Sequence, residues 1–121
     1  MNIKTVNIAD KLNQFSDHWN PRIAGELNGQ QVKLAKLKGE FIWHSHEHED
    51  EMFYVLKGTL KIALRGQMLI IHENEFVIIP RGVEHKPIAE EEVSIMLFEP
   101  ASTINTGNLE NDRTRAILEK I

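Results

Sequence analysis

Punctuation constrains this chain more than any other feature. From Arg22 onward its β-branched and aromatic residues fall into short runs, broken about every 8 to 12 residues by Gly, Pro or Asn. The runs are Arg22 to Leu27, Gln31 to Leu37, Phe41 to His46, Glu51 to Leu56, Thr59 to Leu64, Gln67 to His72, Glu75 to Ile79 and Val93 to Phe98. Asn28-Gly29, between the first two, suits the type I′ turn of a tight hairpin. No long amphipathic helix intervenes, so the pattern argues against a parallel βαβ sheet and for an all-β sandwich or barrel. Ahead of the strands, Asn7 can cap a short helix over about Ile8 to Phe15, with Ile8, Leu12 and Phe15 on one face. Asp17 to Pro21 ends it. The tail from Asn108 reads equally as a short helix or an added strand.

A chain of 121 residues with 41% hydrophobic content has enough apolar material for one core. A single domain over residues 1–121 is expected, with the barrel at about 22–99. The formal charge of -4 argues against a nucleic-acid partner, which needs a basic face. No apolar run reaches the roughly 18 residues of a membrane helix, and MNIKTVNIAD lacks the apolar stretch of a secretion signal. A cytoplasmic protein is therefore expected. With no cysteine in the chain, any metal site must use nitrogen and oxygen ligands.

Five of the six histidines lie between His44 and His85. Alternate residues of a strand share a face, so His44 and His46 can point together at one ion. Imidazole nitrogen sits about 2.0–2.1 Å from a metal such as zinc. Glu51 opens the next strand, where its carboxylate can reach the same ion; Asp50 is its rival. The third imidazole must come from elsewhere, and His85, after Pro80-Arg81-Gly82-Val83-Glu84, is the obvious candidate. His48 sits in the acidic run Glu47 to Asp50 and reads as a loop residue. His72 reads as surface or rim, and His18 as packing at a barrel end or a subunit contact. By alternation Ile42, Phe53 and Val55 face inward, whereas Trp43 and Tyr54 face outward. Arg81, in a turn, is either an anion contact or merely solvated.

The segment from Gly39 to Gly58, GEFIWHSHEHEDEMFYVLKG, resembles the first motif of the cupin superfamily. Its glycine, His-x-His, acid and closing glycine occur in order. Four residues separate His46 from Glu51, and six separate Glu51 from Gly58. Asn74 to Ala89 resembles the second motif, carried by Pro80-x-Gly82-x-x-His85. Gly39 lies one residue closer to the histidines than is usual, and Asn74 and Ala89 replace the customary glycine and asparagine. The resemblance implies a single-domain, jelly-roll-like antiparallel β-barrel with His44, His46, Glu51 and His85 as metal ligands, and commonly a homodimer. One divalent ion is expected, with zinc, iron, manganese, nickel or copper all compatible with the donors.

A metal-dependent enzyme acting on a small polar molecule follows as the leading expectation. Isomerisation of a sugar or sugar phosphate is one version, by similarity to the barrel part of phosphomannose isomerases. Iron-dependent oxygen chemistry is the other. The alternative is a non-catalytic barrel that binds or senses a small ligand.

Overall fold

The two-residue turn at Asn28-Gly29 forms as its composition requires. Both residues have positive φ, 48° and 77°, and Leu27 pairs directly with Gln30 across it. The computed structural model describes residues 2–121. It contains one short helix, α1 (Ile8–Leu12), and seven strands. These are β1 (Arg22–Leu27), β2 (Gln30–Glu40), β3 (Glu51–Lys57), β4 (Leu60–Leu64), β5 (Gln67–Ile71), β6 (Phe76–Ile79) and β7 (His85–Pro100).

All pairings between these strands are antiparallel. The hydrogen-bonded order is β1-β2-β7-β3-β6, with β4 joining β7 to β5. The expected all-β barrel is thus a continuous sheet folded around one core, and its ladder does not close. Alternation fills that core: Ala35 and Leu37 from β2, Phe53 and Val55 from β3, and Ile95 and Leu97 from β7 are all buried. Among the described residues, no helix is long and apolar enough to cross a membrane.

Four details differ from what the sequence predicts. The helix stops at Leu12 and Ile8 is exposed, because Phe15 leaves the helical face to lie beneath Arg22 and Lys36. Residues Phe41 to His46 form no strand beyond a single bridge at His44, and there Phe41 is buried while Ile42 is only half-buried. The last strand is not Val93 to Phe98 alone; it begins at His85 and bends to serve β4 with one half and β3 with the other. The tail forms neither helix nor strand. It runs in turns and returns to β1, where Lys120 bridges Ile23.

Two replaced or retained motif residues show their purpose in the backbone. Asn74 stands at φ 65°, a left-handed conformation that asparagine tolerates better than most residues, so it can replace glycine there. Gly58 stands at φ 93°, and a Cβ added to it would lie 3.0 Å from the carbonyl oxygen of Glu92. Gly58→Ala therefore meets both a strained dihedral and a backbone clash between the β3–β4 turn and β7. A loss of about 1–3 kcal/mol in urea unfolding is expected; unchanged stability would contradict this packing.

Candidate metal centre

Backbone hydrogen bonds bring the two histidine-bearing segments together. His44 N–H donates to the His85 carbonyl at 3.1 Å, and His85 N–H returns the bond to His44 at 2.9 Å. Gly82 N–H donates to the His46 carbonyl at 2.8 Å. Arg81 N–H donates to the Asp50 side chain at 2.9 Å, which gives that acid a turn-bracing contact on the exposed side of the loop. Its neighbour Glu51, the first residue of β3, turns inward.

The result is a buried cluster. One ligand atom from each of His44, His46, Glu51 and His85 lies within 4.8 Å of the others, and all four residues are at most 4% exposed. Glu51 Oε1 is 3.3 Å from the Nε2 atoms of both His46 and His85. The Nδ1 atoms of His44 and His85 face the carbonyls of Ile42 and Val83, at 2.9 and 3.0 Å. A neutral ring must donate from Nδ1 in such a contact, which leaves Nε2 as a lone pair aimed into the cluster. Both ring nitrogens of His46 are buried without a hydrogen-bond partner among the described residues. Lone pairs converging on a carboxylate, with a buried nitrogen left unsatisfied, fit a cation better than they fit one another. The donor set therefore suits a divalent metal ion.

Electrostatics agree with that reading. Burial, reinforced by the neighbouring His85, lowers His44 from its ordinary 6.5 to about 4, so this ring is neutral at physiological pH. Burial pushes Glu51 up, but its contacts with the His46, His85 and Glu99 side chains outweigh it and hold the carboxyl well below its ordinary 4.5.

The other residues singled out from the sequence lie outside the cluster. His48, His72 and Arg81 are exposed. His18 is paired with Glu92 at 2.7 Å. Trp43 is half-buried beneath the guanidinium of Arg65, 3.8 Å from its ring centre, and Tyr54 reaches Asn74. Two residues beside the cluster belong to no motif in the sequence. Lys33 and Glu99 are buried on the inward faces of β2 and β7, joined by a 2.7 Å ion pair. Burial and the charge of Glu51 push Glu99 well above the ordinary carboxylate range. Alternation is the signal that marks them: Lys33 shares parity with Ala35 and Leu37, and Glu99 with Ile95 and Leu97.

The tail covers this region. Gly107 sits at φ 64° so close to the histidine loop that a Cβ would lie 2.0 Å from the carbonyl oxygen of Ser45. Asn108 N–H donates to that same oxygen.

The depressed His44 has a direct thermodynamic consequence. The unfolded chain takes up a proton near pH 6.5 that the folded ring refuses until about pH 4, so metal-free protein loses stability as pH falls through that window. Glu51 acts in the same direction below 4.5, whereas Glu99 opposes it by favouring the protonated fold. Denaturant titrations from pH 7 to 4.5 should show wild type losing up to about 3 kcal/mol more than His44→Gln. Equal slopes for the two proteins would contradict a buried neutral His44.

Comparison with known proteins places this geometry in a family. The Cupin_2 family, described as "Cupin domain", matches residues 30–99. A cupin-2 domain containing protein of Shewanella frigidimarina is 49% identical, with a TM-score of 0.78 over 78% of this chain and 93% of that one. Protein NMB1881 of Neisseria meningitidis is 29% identical, with a TM-score of 0.75 over 81% of this chain and all of the other. The uncharacterized protein YdbB of Bacillus subtilis is 37% identical over 62 residues, 50% of this chain and 55% of that protein. A mannose-1-phosphate guanylyltransferase of Salmonella montevideo is 44% identical over 57 residues, which are 46% of this chain but 12% of the enzyme. The chain thus spans about half of one curated relative and a small part of the other. With the family match covering both histidine motifs and the strands between them, the chain belongs to the cupin family.

Proposed function

We propose that this chain is a single-domain, cytoplasmic cupin in which His44, His46, Glu51 and His85 hold one divalent metal ion, and that it is a metal-dependent enzyme acting on a small molecule rather than on nucleic acid. The observation that carries the reading is the convergence of one ligand atom from each of the four buried side chains to within 4.8 Å, with Nε2 of His46 making no hydrogen bond among the described residues. When bound, an ion in such a site supplies Lewis-acid polarisation or an activated water, or oxygen chemistry if it is iron. The protein's own residues do the rest. The carbonyls of Ile42 and Val83 hold two imidazoles in the tautomer that presents Nε2. Burial keeps His44 free of a competing proton, and Glu51 contributes the negative charge that offsets a cation.

The resemblance to part of a mannose-1-phosphate guanylyltransferase keeps sugar chemistry in view, but the matched part is too small to carry that enzyme's activity across. Elemental analysis of untagged protein should find about one ion per chain. His46→Ala and His85→Ala should each lose that ion while staying folded, and His48→Ala should retain it. Stoichiometric metal in either of the first two variants would overturn the ligand assignment. A loaded site with no turnover on any small substrate would favour the binding or sensing alternative.

A homodimer belongs to the same proposal. Strands β5 and β6 each pair on one side only, and Met68, Ile70, Phe76 and Ile78 on them are about half exposed, at 49–58%. Apolar residues gathered at open edges are a surface for association. Sedimentation should give twice the 13.9 kDa chain mass for wild type, and the mass of one chain for the double variant Ile70→Glu, Ile78→Glu. A monomeric wild type would contradict the dimer.

A further inference from the structure

The metal cluster is sealed from solvent, yet the sheet does not seal it alone. His44, His46, Glu51 and His85 are at most 4% exposed. His44 and Glu51 border a cavity of about 40 Å³, roughly three times the room a single buried water needs. Lys33 and Glu99 are among the walls that the sheet supplies, whereas Asn105 and Leu118 come from the tail. A hydrated ion cannot reach the cluster, nor a molecule the size of a sugar the cavity, unless a covering element moves.

Residues 105–115 have the build of such an element. Asn105 Nδ2 donates to the Arg113 carbonyl at 2.8 Å, and Arg115 N–H donates to Asn105 Oδ1 at 2.7 Å, so the two ends of the segment are held together. The buried Thr106 hydroxyl meets the Leu109 carbonyl and the Thr114 hydroxyl, each at 2.7 Å. Asn111 N–H donates to Thr114 Oγ1 at 3.0 Å, and Arg113 N–H donates to Asn111 Oδ1 at 2.8 Å. This is an Ω-loop, compact and cross-braced by its own side chains. Its attachment to the barrel is slight by comparison. Among the described residues one hydrogen bond makes that connection, from Asn108 N–H to the Ser45 carbonyl at 3.2 Å. Arg113 adds a contact over the Phe41 ring, 5.5 Å from its centre. The chain is fixed on either side of the loop instead: Ala101 N–H donates to the Gly29 carbonyl at 2.9 Å, and Ile121 N–H to the Ile23 carbonyl at 3.0 Å.

Gly107 decides how closely the loop fits. A Cβ there would stand 2.0 Å from the Ser45 carbonyl oxygen and 3.4 Å from Cδ2 of His44. The loop thus rests directly on one of the four clustered side chains, and a side chain at 107 would hold it off.

We propose that residues 105–115 are a lid, which lifts from Ser45 and Phe41 as one unit to admit the ion and the small molecule on the His44 side of the cluster. Many bonds inside the loop and few to the barrel are the balance that lets a segment open without unfolding. The inference rests on the metal-dependent, small-molecule reading only for what passes beneath the lid.

The test uses the whole chain. In ion-free protein, amide hydrogen exchange compares Asn108, whose bond crosses to the barrel, with Arg113 and Arg115, whose bonds lie within the loop. The protection factor of Asn108 should be about tenfold the lower; equal protection would mean that the loop melts rather than lifts, and would overturn the proposal. Access to the site is read on the same ion-free protein by labelling with diethyl pyrocarbonate and mass spectrometry. His44 should react more slowly than the exposed His48, and Gly107→Ala should speed His44 about tenfold without changing His48. Because a left-handed φ also strains alanine, Arg113→Gln is the second variant. It keeps every bond of the loop's backbone, and loss of the contact with Phe41 should speed His44 about threefold. His44 labelled at the wild-type rate in both variants would overturn the lid. Zinc release from loaded protein to a chelator should accelerate in the same order. If the chain takes up no zinc, the metal reading fails, while exchange and labelling still judge the lid.

Discussion

The two backbone hydrogen bonds exchanged by His44 and His85 hold the site together, because neither histidine segment could form it alone. His44 lies in a stretch with no strand partner beyond this bridge, and His85 is the first residue of β7. β7 then pairs with β2, β3 and β4, so the bridge ties the histidine loop to the strand that organises the sheet. Glu51 is delivered by β3, itself a partner of β7. Donors separated by up to 41 positions in sequence thus meet because one strand touches each supporting element.

The physical character of the cluster follows from what surrounds it. Three imidazoles and a carboxylate are all but sealed from water, and two of the rings are oriented by carbonyls two residues back. Such an arrangement is costly while unpaired and favourable around a cation. The Lys33–Glu99 pair adds a second buried charge system next to the first. A buried ion pair is weak evidence for stability, which makes its position on the cavity wall the more informative fact.

Much of this fold is legible in the sequence. Alternation and turn residues identify most strands, since Asn28-Gly29, Gly58 and Gly66 punctuate them with conformations few other residues adopt. The four clustered side chains can be named because their types and spacings repeat a known pattern. The helix is shorter than expected because Phe15 looks helical by spacing, yet it is buried through contacts with Arg22 and Lys36 that lie far along the chain. The Phe41 to His46 segment has strand-like composition, but its one bridge is to His85 and no local rule gives that partner. The extent of β7 is hidden by Glu90-Glu91-Glu92, a charged interruption that the strand carries through at its bend, exposed to solvent. Lys33 and Glu99 do not stand out because charged residues usually belong to the surface, even where alternation puts them inside.

The central claim is that His44, His46, Glu51 and His85 converge on one ion. X-ray absorption at the metal edge of the loaded protein tests it most directly. The account predicts three imidazole nitrogens and at least one carboxylate oxygen at about 2.0–2.2 Å from a zinc ion. A spectrum with fewer than three imidazoles, or one of a fully hydrated ion, would contradict it.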